Sequence, residues 1–382
     1  AYSKSENFDI YNPIKKRNKI IIMKIKSILA TLILVLSTGL MSCASDDSTP
    51  SFPADKTYDM TGFARGADVS WLTQMEKSGK KFYNANGKEM DCMEILRDLG
   101  VNAIRLRVWV NPADGWSGKQ DVLAKAIRAN NLGMRILIDF HYSDSWADPG
   151  QQIKPAAWAG MTIDQLKKAL ADHTTDILSA LKDKGITPEW IQIGNEVRSG
   201  MLWDTDAAIS GATYDVTKDN VNYKTNIDNF AAFISTGSAA ARAVFPTSKI
   251  VVHIDKGDDA STSDWIAGIL KDHNVDYDVF ALSLYPDNNW TDAVTSCVAN
   301  LKAINTKYGK DVMISEVGMD VDQPDVAKAC LTSLMTQTKA LNYCLGVFYW
   351  EPECYGGWNG YGKGAFDDTG KPTIAMDAFS AN

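Results

Sequence analysis

The feature that most constrains this chain is a repeated alternation of two kinds of segment. Eight short stretches dominated by apolar or β-branched residues run over 62–69, 103–110, 135–142, 190–197, 249–254, 279–285, 311–317 and 345–350. Helical patterns lie between them. In 166–181, Leu170, His173, Ile177, Leu178 and Leu181 recur at helical spacing, and 230–244 is rich in Ala. Strands apolar on both faces and alternating with helices require a parallel sheet covered on both sides. Eight such units close into a single (β/α)8 TIM barrel over 61–382, so the length of 382 residues does not imply two or three average domains.

In such a barrel, reactive groups gather at the C-terminal ends of the strands. Here those ends carry Asp68; Arg105, Arg107 and Trp109; Asp139, His141 and Tyr142; Asn195 and Glu196; His253 and Asp255; Tyr285; Ser315 and Glu316; and Tyr349, Trp350 and Glu351. Ionised carboxylates at the ends of apolar strands are costly unless paired or used. Glu196 and Glu316 are two such groups, and cleavage of a glycosidic bond needs a pair: one protonates the departing oxygen, the other acts from the opposite face of the sugar. For either Glu alone, a structural ion pair with a barrel arginine is the competing explanation. The convergence of eight strand ends on one mouth favours a reactive site.

Along 103–110, Ile104, Leu106 and Val108 alternate with Arg105, Arg107 and Trp109. If the apolar set packs on the helices, both guanidiniums point into the barrel. A buried Arg needs a carboxylate, and Glu316 is the natural partner, which pairing keeps it ionised at neutral pH. Asp68 and Glu196 are the alternatives. His141 and His253 follow apolar strands, where satisfied core histidines are commoner than ligands. Trp109, Trp116, Trp146, Trp158, Trp203, Trp290, Trp350 and Trp358 lie at strand ends or in the following loops. Sugar C–H faces stack on indole rings, while others of these Trp residues serve packing.

Gly194-Asn195-Glu196 together with Glu316 resembles the signature of a large clan of retaining (β/α)8 glycoside hydrolases, and Gly100-x-Asn102-x-x-Arg105 resembles its second-strand segment. Within that clan, Gly66-Ala-Asp68, Arg105-Leu-Arg-Val-Trp-Val-Asn-Pro112, Asp139-Phe-His-Tyr-Ser-Asp-Ser-Trp-Ala-Asp-Pro149, Trp190-Ile-Gln-Ile-Gly-Asn-Glu196 and Trp350-Glu-Pro352 are similar to family 53, the endo-β-1,4-galactanases, from about 62 to 379. The resemblance implies Glu196 as acid/base and Glu316 as nucleophile. It further implies Asn195 on the sugar 2-hydroxyl, Arg105 and Tyr285 on the nucleophile, and His141 and Asp144 in the site. Trp350 is expected beneath the cleaved sugar, with Trp109 and Trp146 beside it. The implied substrate is β-1,4-galactan, as in type I arabinogalactan, and its oligosaccharides. Another enzyme of the clan, such as a mannanase, is the nearest alternative, and the motif from Asp144 to Pro149 argues against it. A surface lipoprotein that captures glycans without cutting them would be expected to lack one carboxylate. Bacterial members often carry a calcium-binding insertion after the seventh strand; the short segment from Gly318 to Pro324 does not supply one, so no metal or cofactor is expected.

The chain has 39 basic and 47 acidic side chains, a net charge of −8, and the first 42 residues hold seven of the basic and only two of the acidic ones. The remainder is strongly acidic, which excludes nucleic acid as a natural partner. Residues 1–42 read as an upstream segment followed by a lipoprotein signal peptide: Lys24 and Lys26, an apolar run, then Leu40-Met41-Ser42-Cys43. Cys43 would carry the lipid, and 43–60, rich in Ser, Asp and Pro, would tether the barrel. The expected location is the outer membrane facing the cell surface, with the periplasm as alternative; membrane contact is through the lipid alone, and the protein is expected to be monomeric. Cys92, Cys297, Cys330, Cys344 and Cys354 have no metal-like spacing and read as buried apolar cysteines, with room for one disulfide. The four histidines form no HxH or HExxH pair, against a zinc hydrolase.

Overall fold

The computed structural model describes residues 57–203, 215–217 and 222–380. The signal segment, Cys43 and most of the expected tether lie outside the described residues. The described body starts before the expected boundary at 61. Tyr58 already hydrogen-bonds Asp98 at 2.5 Å, and the Arg97 guanidinium lies 4.1 Å from its ring centre.

Eight strands form a closed, all-parallel barrel in chain order: β1 (Ala64–Asp68), β2 (Ala103–Val108), β3 (Arg135–Phe140), β4 (Trp190–Ile193), β5 (Lys249–Ile254), β6 (Val279–Leu284), β7 (Asp311–Val317) and β8 (Cys344–Trp350). Helices connect them, as the alternating pattern requires. The patterns expected over 166–181 and 230–244 fall in helices Ile163–Asp183 and Tyr223–Val244, the second running to the helix end. The first begins at a reciprocal cap: Thr162 Oγ1 accepts from the Gln165 N–H at 3.4 Å, and Gln165 Oε1 accepts from the Thr162 N–H at 2.8 Å.

Two apolar layers follow from strand alternation. Ile104, Leu106 and Val108 of β2, like Ile136 and Ile138 of β3, pack outward beneath the helices. Leu137, Trp190, Val251, Ala281, Met313 and Phe348 point inward and plug the barrel floor. The Phe348 ring lies where a Cβ on Gly66 would sit, so only glycine fits at that point of β1. Above the floor the inward positions turn polar: Asp68, Arg105, Asp139, Gln192 and His253, all essentially unexposed. Both Arg105 and Arg107 point into the barrel, as the alternation on β2 predicts.

One strand breaks the rule usefully. Leu282 pairs with Ile314 but Ser283 pairs with Glu316, so β7 carries an extra residue at Ser315. Met313 faces inward, and strict alternation would send Glu316 toward the helices; the bulge re-aims it into the barrel. The five cysteines of the described body are buried and unpaired. Among the described residues no helix is long and apolar enough to cross a membrane.

Candidate active site

Glu316 is held at both oxygens. Arg105 Nη1 lies 3.0 Å from Oε1, and the Tyr285 hydroxyl donates to Oε2 at 2.7 Å. Arg105 is the hub of the polar layer: its Nη1 also meets Asp68 at 2.7 Å, and its Nη2 meets Asp139 at 2.9 Å and Asn195 Oδ1 at 2.8 Å. Glu196 ends β4 through a tight turn in which Gly194 has φ +82° and Glu196 itself has φ +47°. The left-handed region is sparsely used by residues with long side chains, and such strain is retained where the surroundings fix it. Here it lifts the Glu196 carboxyl into the mouth, where Ser283 Oγ sits 2.6 Å from its Oε1.

The two carboxyls differ in their affinity for a proton. Burial raises Glu316 to about 7, against the pull of Arg105 and Tyr285, which favour the charged form. Burial and then the charge of Glu316 push Glu196 well above the ordinary range. Pairing with Arg105 therefore does not by itself hold Glu316 in the usual carboxylate range, as expected from the sequence; burial outweighs it. The order between the two is what survives: Glu196 is raised further, so Glu316 is the one that ionises first as pH rises.

Around the carboxyls the mouth opens into two cavities that share Glu196 and Tyr285 as lining. One, of about 640 Å³, is walled by Trp71, Trp109, Trp116, Trp146, Trp350 and Tyr361, with Asp114 and Asp148 at its polar side. The other, of about 560 Å³, is polar, with Asp255, Asp258 and Asp287 beside Lys256. Trp71 packs against Trp146 and Trp350 at ring-centre distances of 5.4 and 5.2 Å. The Arg107 guanidinium lies 4.4 Å from the Trp146 ring centre.

Of the residues named from the sequence, Glu196, Glu316, Asn195, His141, Tyr285, Trp109, Trp146 and Trp350 all line the aromatic cavity, and Arg105 lies directly beneath it. His141 accepts at Nδ1 from the Trp109 indole N–H and the Ala147 N–H, both at 3.2 Å, and so turns Nε2–H toward Asp139 at 3.0 Å. It orients the wall. Two expectations are corrected. Asp144 does not line the cavity: its carboxylate accepts from the Asn111 and Ala156 backbone N–H groups at 3.0 and 2.9 Å and staples two loops together. Arg107 does not reach Glu316. It pairs with Glu351 at 2.6 Å, because it stands two residues, about 6.6 Å, farther along β2 than Arg105. Trp71 and Tyr361 were not singled out from the sequence. Trp71 follows the Asp68 strand end closely, which was the available signal; Tyr361 lies in a loop with none.

The profile of glycosyl hydrolase family 53 matches residues 64–379. An endo-β-1,4-galactanase of Bacillus subtilis is 32% identical over 321 residues, spanning 76% of this chain and 70% of its own length. An arabinogalactan endo-β-1,4-galactanase of Thermothelomyces thermophilus is 31% identical over 309 residues, spanning 75% of this chain and 89% of its own. Among solved structures, one from a study of two fungal β-1,4-galactanases superposes with a TM-score of 0.75 at 28% identity, over 84% of this chain and 100% of the other. A psychrophilic family 10 endo-β-1,4-xylanase, at 12% identity and a TM-score of 0.57, shares the fold alone.

Proposed function

The chain belongs to glycosyl hydrolase family 53, and from that membership we propose that it cuts β-1,4-galactan internally, by double displacement, with Glu316 as nucleophile and Glu196 as acid/base. In the first step a Glu316 oxygen bonds to the anomeric carbon while the glycosidic C–O bond breaks and Glu196 gives its proton to the leaving oxygen. In the second, water attacks the same carbon, Glu196 takes the water's proton, and the Glu316 ester is released with the configuration retained. The observation that carries this reading is the unequal pair in the mouth, of which Glu196 lines both cavities and Glu316 the aromatic one. One carboxyl is raised well above the ordinary range, and the other is cradled by Arg105 and Tyr285. A cleft open past its cutting point accommodates the interior of a polymer.

Incubation with a panel of plant β-glycans tests the substrate: internal cutting of linear β-1,4-galactan is expected, with mannan, xylan and cellulose largely intact. Faster release of reducing ends from mannan would overturn the sugar and leave the hydrolase in place. The same proposal puts the enzyme at the outer surface of the cell as a monomer, anchored by a lipid on Cys43. The basic and apolar run before Leu40-Met41-Ser42-Cys43 supports the anchor, and a site complete within one chain supports the monomer. Labelling with a radioactive fatty acid, lost in Cys43→Ala, is the expected result; a soluble, unlabelled product would refute the anchor.

A further inference from the structure

Glu196 is the last member of a buried chain of hydrogen-bonding groups drawn from β4, β5 and β6, and counting hydrogens along it fixes where its proton lies. Asn195 comes first. Its Nδ2 donates to the Ala147 carbonyl at 2.9 Å and its Oδ1 accepts from Arg105 at 2.8 Å, so the amide has one orientation. His253 Nδ1 is 2.9 Å from that Oδ1. An amide oxygen cannot donate, so Nδ1 carries the hydrogen. Two donors lie farther from the same nitrogen: Gln192 Nε2 at 3.2 Å, whose two hydrogens have closer acceptors in Asp139 Oδ1 at 2.6 Å and the Gly194 carbonyl at 3.0 Å, and the Glu196 backbone N–H at 3.4 Å. The 2.9 Å contact with Asn195 Oδ1 is the shortest and sets the tautomer.

His253 is fully buried, and burial together with the charge of Arg105 keeps the imidazole neutral. Its Nε2 is then a lone-pair acceptor. Ser283 Oγ lies 2.9 Å from Nε2 and 2.6 Å from Glu196 Oε1. The hydroxyl has one hydrogen, and His253 takes it. The short contact with Glu196 therefore needs Glu196 to be the donor.

We propose that His253 and Ser283 are positioning residues that hold the proton of Glu196 on Oε1, by offering it a hydroxyl that accepts a hydrogen bond and has none left to give. The proposal rests on the reading of Glu196 as acid/base. When the glycosidic oxygen arrives, the O–H bond on Glu196 breaks as the new one on the leaving group forms. The Ser283 hydrogen can then serve His253 or the new carboxylate, and not both, so the ionised form is one hydrogen bond poorer. The arrangement favours the acid and resists its loss as pH rises. The charged or titratable groups that bear on Glu196 are Glu316, Asp255 and Arg105, and those that bear on His253 are Arg105 and His141; the test leaves all of them in place.

The test is the pH profile of kcat/KM on galactan in Ser283→Ala, His253→Leu and the double variant, with melting temperatures alongside. Ser283→Ala removes the acceptor of the Glu196 proton, so the alkaline limb should move down by about one pH unit while the acid limb stays. His253→Leu frees the Ser283 hydrogen to stabilise the Glu196 carboxylate, so the limb should move down further, and the double variant should return to the Ser283→Ala value. An upward shift in Ser283→Ala would mean that the hydroxyl donates to a carboxylate in the native enzyme, and would overturn the proposal, as would an unmoved limb in either single variant. Glu196→Gln separates the two levels of the argument: it should abolish the alkaline limb. If the limb persists there, the acid/base reading of Glu196 falls, and the proposal with it.

Discussion

Replacing Arg105 by lysine should preserve the charge and lose the site. Arg105 is unexposed and touches carboxylates from three strands, Asp68 at 2.7 Å, Asp139 at 2.9 Å and Glu316 at 3.0 Å, through the two ends of one planar group. A lysine ammonium is a point charge and cannot serve that spread. Breaking a buried ion pair costs about 3–5 kcal/mol, and a lysine that keeps one partner should sit near the lower end, about 3 kcal/mol. The abandoned carboxylates recover part of this by binding protons. Glu316 titrates near 7 with Arg105 opposing its protonation; loss of such a neighbour raises a carboxyl by about 1–3 units. With a rise of about two units, the ionised fraction at pH 6 falls from about one in ten to about one in a thousand, and kcat/KM on an aryl galactoside falls about a hundredfold. A carboxyl raised above its unfolded value contributes stability at low pH that is lost as pH rises through the folded value. The deficit in the variant should accordingly be larger at pH 8 than at pH 5. The measurements are the acid limb of the rate profile and melting temperatures at those two pH values. An acid limb that stays in place would refute the assignment of Arg105 as the group that lets Glu316 ionise.

Glu316→Ala should lose several orders of magnitude of activity on every substrate, and azide should restore turnover of an activated aryl galactoside with inverted product, whereas Glu196→Ala with azide should give retained product. Proton NMR of the first anomer released by the native enzyme should show β; initial α would overturn both roles. Trp71→Ala, which removes the ring that packs on both Trp146 and Trp350, should raise KM for galactan about tenfold, with Trp71→Phe intermediate; an unchanged KM would remove Trp71 from the binding wall. Burial and then the Glu351 charge raise Glu353 well above its ordinary value, and the two carboxyls lie within 4.8 Å of each other, which favours a proton on Glu353. Stability held by a raised carboxyl disappears as pH rises, so Glu353→Gln, which donates at any pH, should match the native protein at pH 6 and exceed it by about 1–3 kcal/mol at pH 9. Equal melting at pH 9 would show that no proton is shared there.

Strand order and the polar mouth were legible because a closed parallel barrel repeats one local rule eight times. Period-two alternation was enough to turn Arg105 and Arg107 inward. It could not aim Glu316, since the bulge at Ser315 is a property of two paired strands and leaves no mark in the chain of β7; there the family resemblance carried the assignment. The partner of Arg107 was misjudged for a metric reason: inward direction is a matter of parity, while partner choice depends on height along the barrel. Asp144 was misplaced because a loop carboxylate looks the same whether it awaits a sugar hydroxyl or binds two backbone N–H groups. Trp71 and Glu351, 280 positions apart in sequence and joined by a 3.0 Å hydrogen bond from the Trp71 N–H, meet only when β1 and β8 close the barrel.

The inward plug of Leu137, Trp190, Val251, Met313 and Phe348 makes the barrel a vessel with one opening. Water and protons cannot leak through its base, so all traffic uses the mouth that the polymer occupies. If galactan lies across both cavities, as proposed, exchange of protons at the carboxyl pair with solvent would be slowed, and the one on Glu196 would go to the leaving oxygen. Only after the departing fragment vacates its side can water come in to finish the cycle. Another sugar arriving first would take its place, and the ratio of hydrolysis to transglycosylation should track how quickly that side of the vessel empties.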